Sequence, residues 1–138
     1  MQTTNHGSTA ASPDDQELLD ITTRILAAIH NGDADTYASL CVDDLTCFED
    51  VCPYRIDGVP FHVSLIKQMA EDPTQQPVRF DLLTPKVQRY GDSAVVTYTR
   101  LLTFNDAGSP SWRTFNESRI YVRVNGSWLM VHFHRTST

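Results

Sequence analysis

Apolar residues at Leu18, Leu19, Ile21, Ile25, Leu26 and Ile29 recur at the intervals of one helix face and predict an amphipathic helix. Ser12-Pro13-Asp14-Asp15 gives it an N-cap, a proline suited to the first turn and acids against the helix dipole, and Asn31-Gly32 gives it a stop. Asp33 caps a short second helix carrying Tyr37 and Leu40, so the two helices are neighbours. Residues 45–49 read as a short strand, 50–58 as loop, and 60–70 as a third helix opened by Pro60. From Val78 onward the period changes to two, which predicts strands at 78–90, 93–104, 112–124 and 127–135. Gly91-Asp92 and Asn125-Gly126 favour tight hairpins, whereas 105–111 reads as a longer turn. Sequential pairing gives an antiparallel meander with Pro85 at a bulge or edge. The fold class is α+β, with helices packed on one face of a bent sheet.

Composition narrows the class without changing it. With 138 residues, 41% hydrophobic and 20% charged, the chain fits one globular domain over 14–138, preceded by a polar, aperiodic stretch over 1–13 expected to be a disordered tail. No apolar run approaches the roughly 20 residues of a membrane span, and no secretory signal is visible, so a soluble cytoplasmic protein without a membrane partner is expected. A net charge of −6, with arginines placed singly, argues against a nucleic-acid partner. Cys41, Cys47 and Cys52 are an odd number at spacings that fit neither a redox pair nor a zinc motif, and are read as reduced and mostly core. No cofactor or metal is expected.

The candidate chemistry comes from arginines that interrupt apolar rows. Strict alternation places Leu129, Val131, Phe133 and Arg135 on one face of the last strand, with Trp128, Met130, His132 and His134 on the other. Arg100 sits likewise among Val96, Tyr98, Leu102 and Phe104, while Arg119 shares a more polar face with Phe115, Glu117, Tyr121 and Arg123. A buried guanidinium cannot shed its proton, and left unpaired it costs several kcal/mol. Two arrangements answer this: Glu117 or Glu49 pairs with the arginines, or their heads reach water, in a structural role; or the cations gather around a pocket for a small carboxylate. Trp112, Trp128, Met130 and His132 are candidates for a convex face covered by a second copy. His132 and His134 have a spacing that can hold a metal but lack an obvious third ligand, and read as packing; His30 reads as solvent-facing.

The stretches HNGDADTYASLC, LTCFED, DGVPFH, YTRLLTF, NESRIYVRVNGSW and VHFHRTS, in this order and spacing, resemble the association (hub) domain of calcium/calmodulin-dependent protein kinase II, in the nuclear transport factor 2-like superfamily. The likeness runs over about 15–136 and is most specific at VHFHR after NGSW. It implies a cone, with a long N-terminal helix in the concavity of a strongly curved antiparallel sheet and two shorter helices closing it. It implies tight homodimers that build larger rings, no catalysis, and a deep pocket where small carboxylates of the hydroxybutyrate type bind. The pocket arginines fall on Arg100 in YTRL, Arg119 in NESRIYV and Arg135 in HFHR, and the pocket histidine on His62 in PFHV; Tyr98 and Glu117 complete the expected ligand site. Val63-Ser64-Leu65 and the loop from Val51 to Arg55 depart from the family pattern. The chain has no GxG, HRD or DFG, so a free-standing hub-like domain without a kinase is expected. The alternative is an enzyme of the ketosteroid isomerase or polyketide cyclase kind in the same cone, with Glu49, Glu117, His62 and Tyr98 as acid–base candidates. Glu117, two residues from Arg119, reads instead as an ion-paired carboxylate with a lowered pKa, a weak base.

Overall fold

The structure, a computed structural model, describes residues 12–138, so the expected tail lies outside the described residues apart from its last two positions. Helix α1 spans Pro13–Asn31, with the Ser12 hydroxyl accepting from the Asp15 N–H at 3.2 Å. Gly32, left-handed at φ 70°, closes it and donates to the Ala28 and Ile29 carbonyls. Asp33 caps α2, Ala34–Ser39, by accepting from the Thr36 N–H at 3.1 Å. Helix α3 is Pro60–Ala70, as the sequence predicts, and a 3-10 turn follows at Pro73–Gln75. No helix among the described residues is long and apolar enough to cross a membrane.

The strands are β1 Cys41–Phe48, β2 Ile56–Asp57, β3 Arg79–Tyr90, β4 Ser93–Asp106, β5 Ser109–Val124 and β6 Ser127–Ser137, in the sheet order β2-β1-β6-β5-β4-β3. The expected meander is β3 to β6, and β1 adds to it in parallel with β6. On the edge strand β3 the register shifts between Leu83 and Lys86, around Thr84 and Pro85, which is where a residue without an N–H is tolerated. The sheet is curved, and α1 packs against its inner face, where Leu18, Ile25 and Leu26 join Phe80, Leu82, Val96 and Tyr121 in one core. The Thr22 hydroxyl of α1 lies 2.6 Å from the Tyr121 hydroxyl of β5, which pins the helix to the sheet across the core.

Two expectations about the strands are corrected. The 105–111 stretch is no long turn: pairing continues through Asn105↔Pro110 and Asp106↔Ser109, and Ala107-Gly108 forms a two-residue hairpin with φ of 51° and 88°. Pro110 is accommodated because β6 reaches along β5 only as far as Phe115↔Ser137, so no strand beyond β4 asks it for an N–H. Alternation also fails in β6. Ile120 pairs with His132 but Tyr121 with Met130, so Val131 is an extra, bulged residue and the faces exchange there. Trp128 and Met130, at 2% and 0% exposure, therefore lie in the core with Phe133 and not on an outer face with the half-buried His132. Trp112, 60% exposed, does face outward.

At Gly32 a Cβ would stand 2.6 Å from the Ala70 Cβ, so the α1 terminus and the end of α3 touch through the missing side chain. Gly32→Ala adds left-handed strain to that overlap, and unfolding in urea is expected to require about 2–5 kcal/mol less than for the native chain. A change within about 0.5 kcal/mol, the size of an ordinary surface substitution, would show that this junction gives way freely.

Candidate functional site: an arginine-lined cavity

Three neighbouring strands set the site out as a grid. Tyr98 of β4, Glu117 of β5 and Arg135 of β6 face one another across the sheet; the next row toward one end holds Arg100 and Phe115, and toward the other Val96, Arg119 and Phe133. All are inward positions, and Arg119, Glu117, Tyr98 and Arg100 are 1%, 2%, 4% and 5% exposed. Arg119, which sequence places on the more polar side of its strand, is thus among the most deeply buried side chains of the domain.

Glu117 is the hub of this grid. Its Oε1 accepts from the Tyr98 hydroxyl at 2.5 Å and from Arg119 Nη2 at 3.1 Å, and its Oε2 lies 3.0 Å from Arg100 Nη2. Arg119 also donates through Nε to the Tyr98 oxygen at 2.7 Å and through Nη1 to Met130 Sδ at 3.3 Å, with its guanidinium 4.6 Å over the Phe133 ring. Burial alone would raise the Glu117 carboxyl, but the Arg100 and Arg119 guanidiniums and the Tyr98 hydroxyl bring it below its ordinary value. Burial likewise raises the Tyr98 phenol well above its ordinary value, so the hydroxyl stays a donor.

Arg135 is tied from another direction. Its Nε donates to Asp50 Oδ1 at 3.0 Å and lies 3.6 Å from Glu49 Oε2, and its guanidinium stacks 4.1 Å over the Phe115 ring. Arg100 and Arg113 approach the same ring at 5.7 Å and 5.5 Å. His62, from the first turn of α3, puts Nε2 3.4 Å from Glu49 Oε1 and 3.5 Å from Cys47 Sγ. Burial first, then the Glu49 charge, pushes the Cys47 thiol up to about 12.

A cavity of about 280 Å³ opens among these groups. Arg100, Arg119, Arg135 and His62 line it together with Glu49, and Leu26, Ile66, Phe80 and Phe133 supply apolar wall. Tyr98 and Glu117 are not on its wall; they stand behind the guanidiniums and hold them. Two further residues line the cavity, one without a sequence reading and one against it. Arg113 continues the inward row of Phe115, Glu117 and Arg119 at period two, so extending the alternation finds it. His30, expected to face solvent, is half-buried, lines the cavity and meets the Phe80 ring at 5.5 Å; it lies one helical turn beyond Leu26 on the same face. His132 and His134 point away from the cavity and flank Phe48, with His132 Nδ1 2.7 Å from the Thr46 hydroxyl.

Residues 14–138 match the family model of the calcium/calmodulin dependent protein kinase II association domain. The chain belongs to that family. This association domain is 32% identical over 126 residues to the calcium/calmodulin-dependent protein kinase type II subunit delta of Oryctolagus cuniculus, a match that takes in 89% of the chain and 24% of that protein. The chain thus spans about a quarter of that relative's length. The association domain of C. elegans CaMKII shares its fold with a TM-score of 0.79 and 34% identity, covering 91% of this chain and 95% of that one. A nuclear transport factor 2-like protein of unknown function from Pseudomonas putida KT2440 has a TM-score of 0.78 at 18% identity, with 94% and 90% covered, a likeness of fold alone.

Glu117→Gln keeps the shape of the hub but leaves two buried guanidiniums facing a neutral amide, and is expected to cost about 3–5 kcal/mol in denaturant unfolding at neutral pH. The native carboxyl titrates lower in the folded state than its ordinary 4.5, so its stabilisation is fully present above that value and fades as pH falls through the folded value. The variant should therefore show a flatter acid limb in a plot of stability against pH. Native-like stability and an unchanged acid limb would remove Glu117 from this role.

Proposed function

We propose that this association domain joins copies of itself, as a homodimer or larger ring, and that its cavity takes a small carboxylate without chemical conversion. The observation that carries the ligand reading is the wall itself: guanidiniums of Arg100, Arg119 and Arg135 line a void that remains after their acidic partners are in place. Their donors are unequally free. Arg119 spends Nε, Nη1 and Nη2 on Tyr98, Met130 and Glu117, so its part is to hold the hub. Arg100 is 5% exposed, lines the cavity and meets Glu117 through Nη2, which makes it the deep contact for an anion. Arg135, spread over Phe115 nearer the mouth, supplies the second, and His62 bounds the pocket from α3. The apolar wall suits a ligand with a short carbon chain behind its carboxylate.

Self-association is supported by the family to which the chain belongs and by large side chains left at the surface, Phe48 at 40% exposure and Trp112 at 60%. Light scattering at micromolar concentration is expected to give a dimer or larger species; a strict monomer would end that half of the proposal.

For the ligand half, a hydroxybutyrate-type carboxylate at a hundredfold excess over its dissociation constant should stabilise the native protein by about 2.7 kcal/mol, seen as a raised Tm. Arg100→Ala and Arg135→Ala should each abolish that shift while leaving circular dichroism native-like, because Glu117 keeps Arg119 and Asp50 keeps Ser137 as partners. If no small carboxylate shifts Tm, or if both variants respond as the native protein does, the pocket has another purpose.

A further inference from the structure

Cys47 and Glu49 are two residues apart at the end of β1, so both turn inward while Phe48 between them is 40% exposed. His62 reaches them from α3. Its Nε2 stands 3.5 Å from Cys47 Sγ and 3.4 Å from Glu49 Oε1, and the three ligand-type atoms all lie within 4.8 Å of one another. A tetrahedral zinc ion with bonds of about 2.3 Å to sulfur, 2.05 Å to imidazole nitrogen and 2.1 Å to carboxylate oxygen needs S···N near ~3.5 Å and N···O near ~3.4 Å. Both separations from the histidine already have those values. The groups are also buried as a built site is: Cys47 0% exposed, His62 5%, and the Glu49 side chain 8%. The imidazole is held in this attitude by Tyr37, Phe61 and Phe133, with ring centroids 5.9, 5.3 and 5.2 Å away.

We propose that Cys47 Sγ, Glu49 Oε1 and His62 Nε2 bind one divalent cation of the zinc class, with the fourth coordination position open to the cavity that Glu49 and His62 line. Thiolate and carboxylate balance the charge of the dication. The thiol proton passes to solvent on binding, and ligation through Nε2 leaves the single ring proton on Nδ1. Arg135 does not lose its counter-charge when Glu49 turns to the metal, because Asp50 holds the same Nε at 3.0 Å. Open coordination distinguishes this arrangement from a closed structural zinc site and gives water or an added carboxylate a place to bind the metal. The proposal does not rest on the carboxylate reading, since the three ligands would meet whether or not the guanidiniums take an anion.

The test uses the full chain, stripped with a chelator and titrated with Co²⁺ and then Zn²⁺. One equivalent of Co²⁺ is expected to give tetrahedral d–d absorption together with a thiolate-to-cobalt charge-transfer band, and Zn²⁺ should displace it. The band reports sulfur ligation, so weak binding at the half-buried His132 and the exposed His134 does not imitate it. Cys47→Ser should abolish the band, Cys52→Ser should retain it, and Glu49→Gln should weaken Zn²⁺ by more than the about 10–100-fold that loss of an outer-shell partner costs. A folded native chain with no charge-transfer band, a band that survives Cys47→Ser, or Zn²⁺ affinity unchanged in Glu49→Gln would each overturn the site. Should Cys47→Ser fail to fold, the native titration and Glu49→Gln decide alone. Metal-free protein that still answers a carboxylate with a higher Tm separates failure here from failure of the pocket reading.

Discussion

One carboxylate between two guanidiniums carries the interior of this domain. Glu117 is 2% exposed, and neither Arg100 nor Arg119 could remain where it is without it, because a guanidinium cannot become neutral in the core. Such a cluster is poor evidence for stability, since bringing three charges out of water costs much of what their attraction returns. What it does fix is geometry: Tyr98, Glu117 and Arg119 close a hydrogen-bonded ring across β4 and β5, and that ring sets the depth at which the cavity begins. It also leaves the deep end with two cations against one acid, so the wall behind the void is positive by construction. At the mouth the balance reverses, with Arg135 facing both Glu49 and Asp50.

The helices and the meander were legible from spacing and caps because those signals are local. Ser12, Gly32, Asp33 and Pro60 each act within a turn of where they stand, and α3 begins and ends where its pattern does. Pairing between distant segments was not legible. Nothing within Cys41–Phe48 says that it will run parallel to a strand more than eighty residues later, and Val131 gives no local sign that it will bulge, being neither glycine nor proline. That bulge reverses everything before it. Period-two reading therefore grouped Phe133 with Arg135 correctly and put Trp128 and Met130 on the wrong face. The hairpin at Ala107-Gly108 lacks a local signature for a similar reason, since an alanine at φ 51° is a conformation that sequence seldom announces.

For the site, alternation found inward arginines but could not say which acids would meet them, because Glu49, Asp50 and Glu117 come from separate elements. The family likeness supplied the missing step by putting Arg100, Arg119, Arg135 and His62 around one hollow, and the cavity brings those four together. It could not rank them. That ranking depends on which donors are already spent: Arg119 is anchored through Nε, Nη1 and Nη2, whereas Arg100 meets Glu117 through Nη2, a difference set by residues of separate strands.

Spent donors and acceptors also bear on whether this cavity could run acid–base chemistry. A general base in an apolar cavity works because burial raises its pKa toward the operating pH. Here burial acts on Glu117 in that direction and is overcome by Arg100, Arg119 and Tyr98, so the carboxyl is held ionised below its ordinary range and has little appetite for a proton. Tyr98 is committed as well, its hydroxyl donating to the same carboxylate while its oxygen accepts from Arg119. With the deepest acid and phenol engaged in holding cations in place, the polar groups of the interior are organised to present positive charge to the cavity.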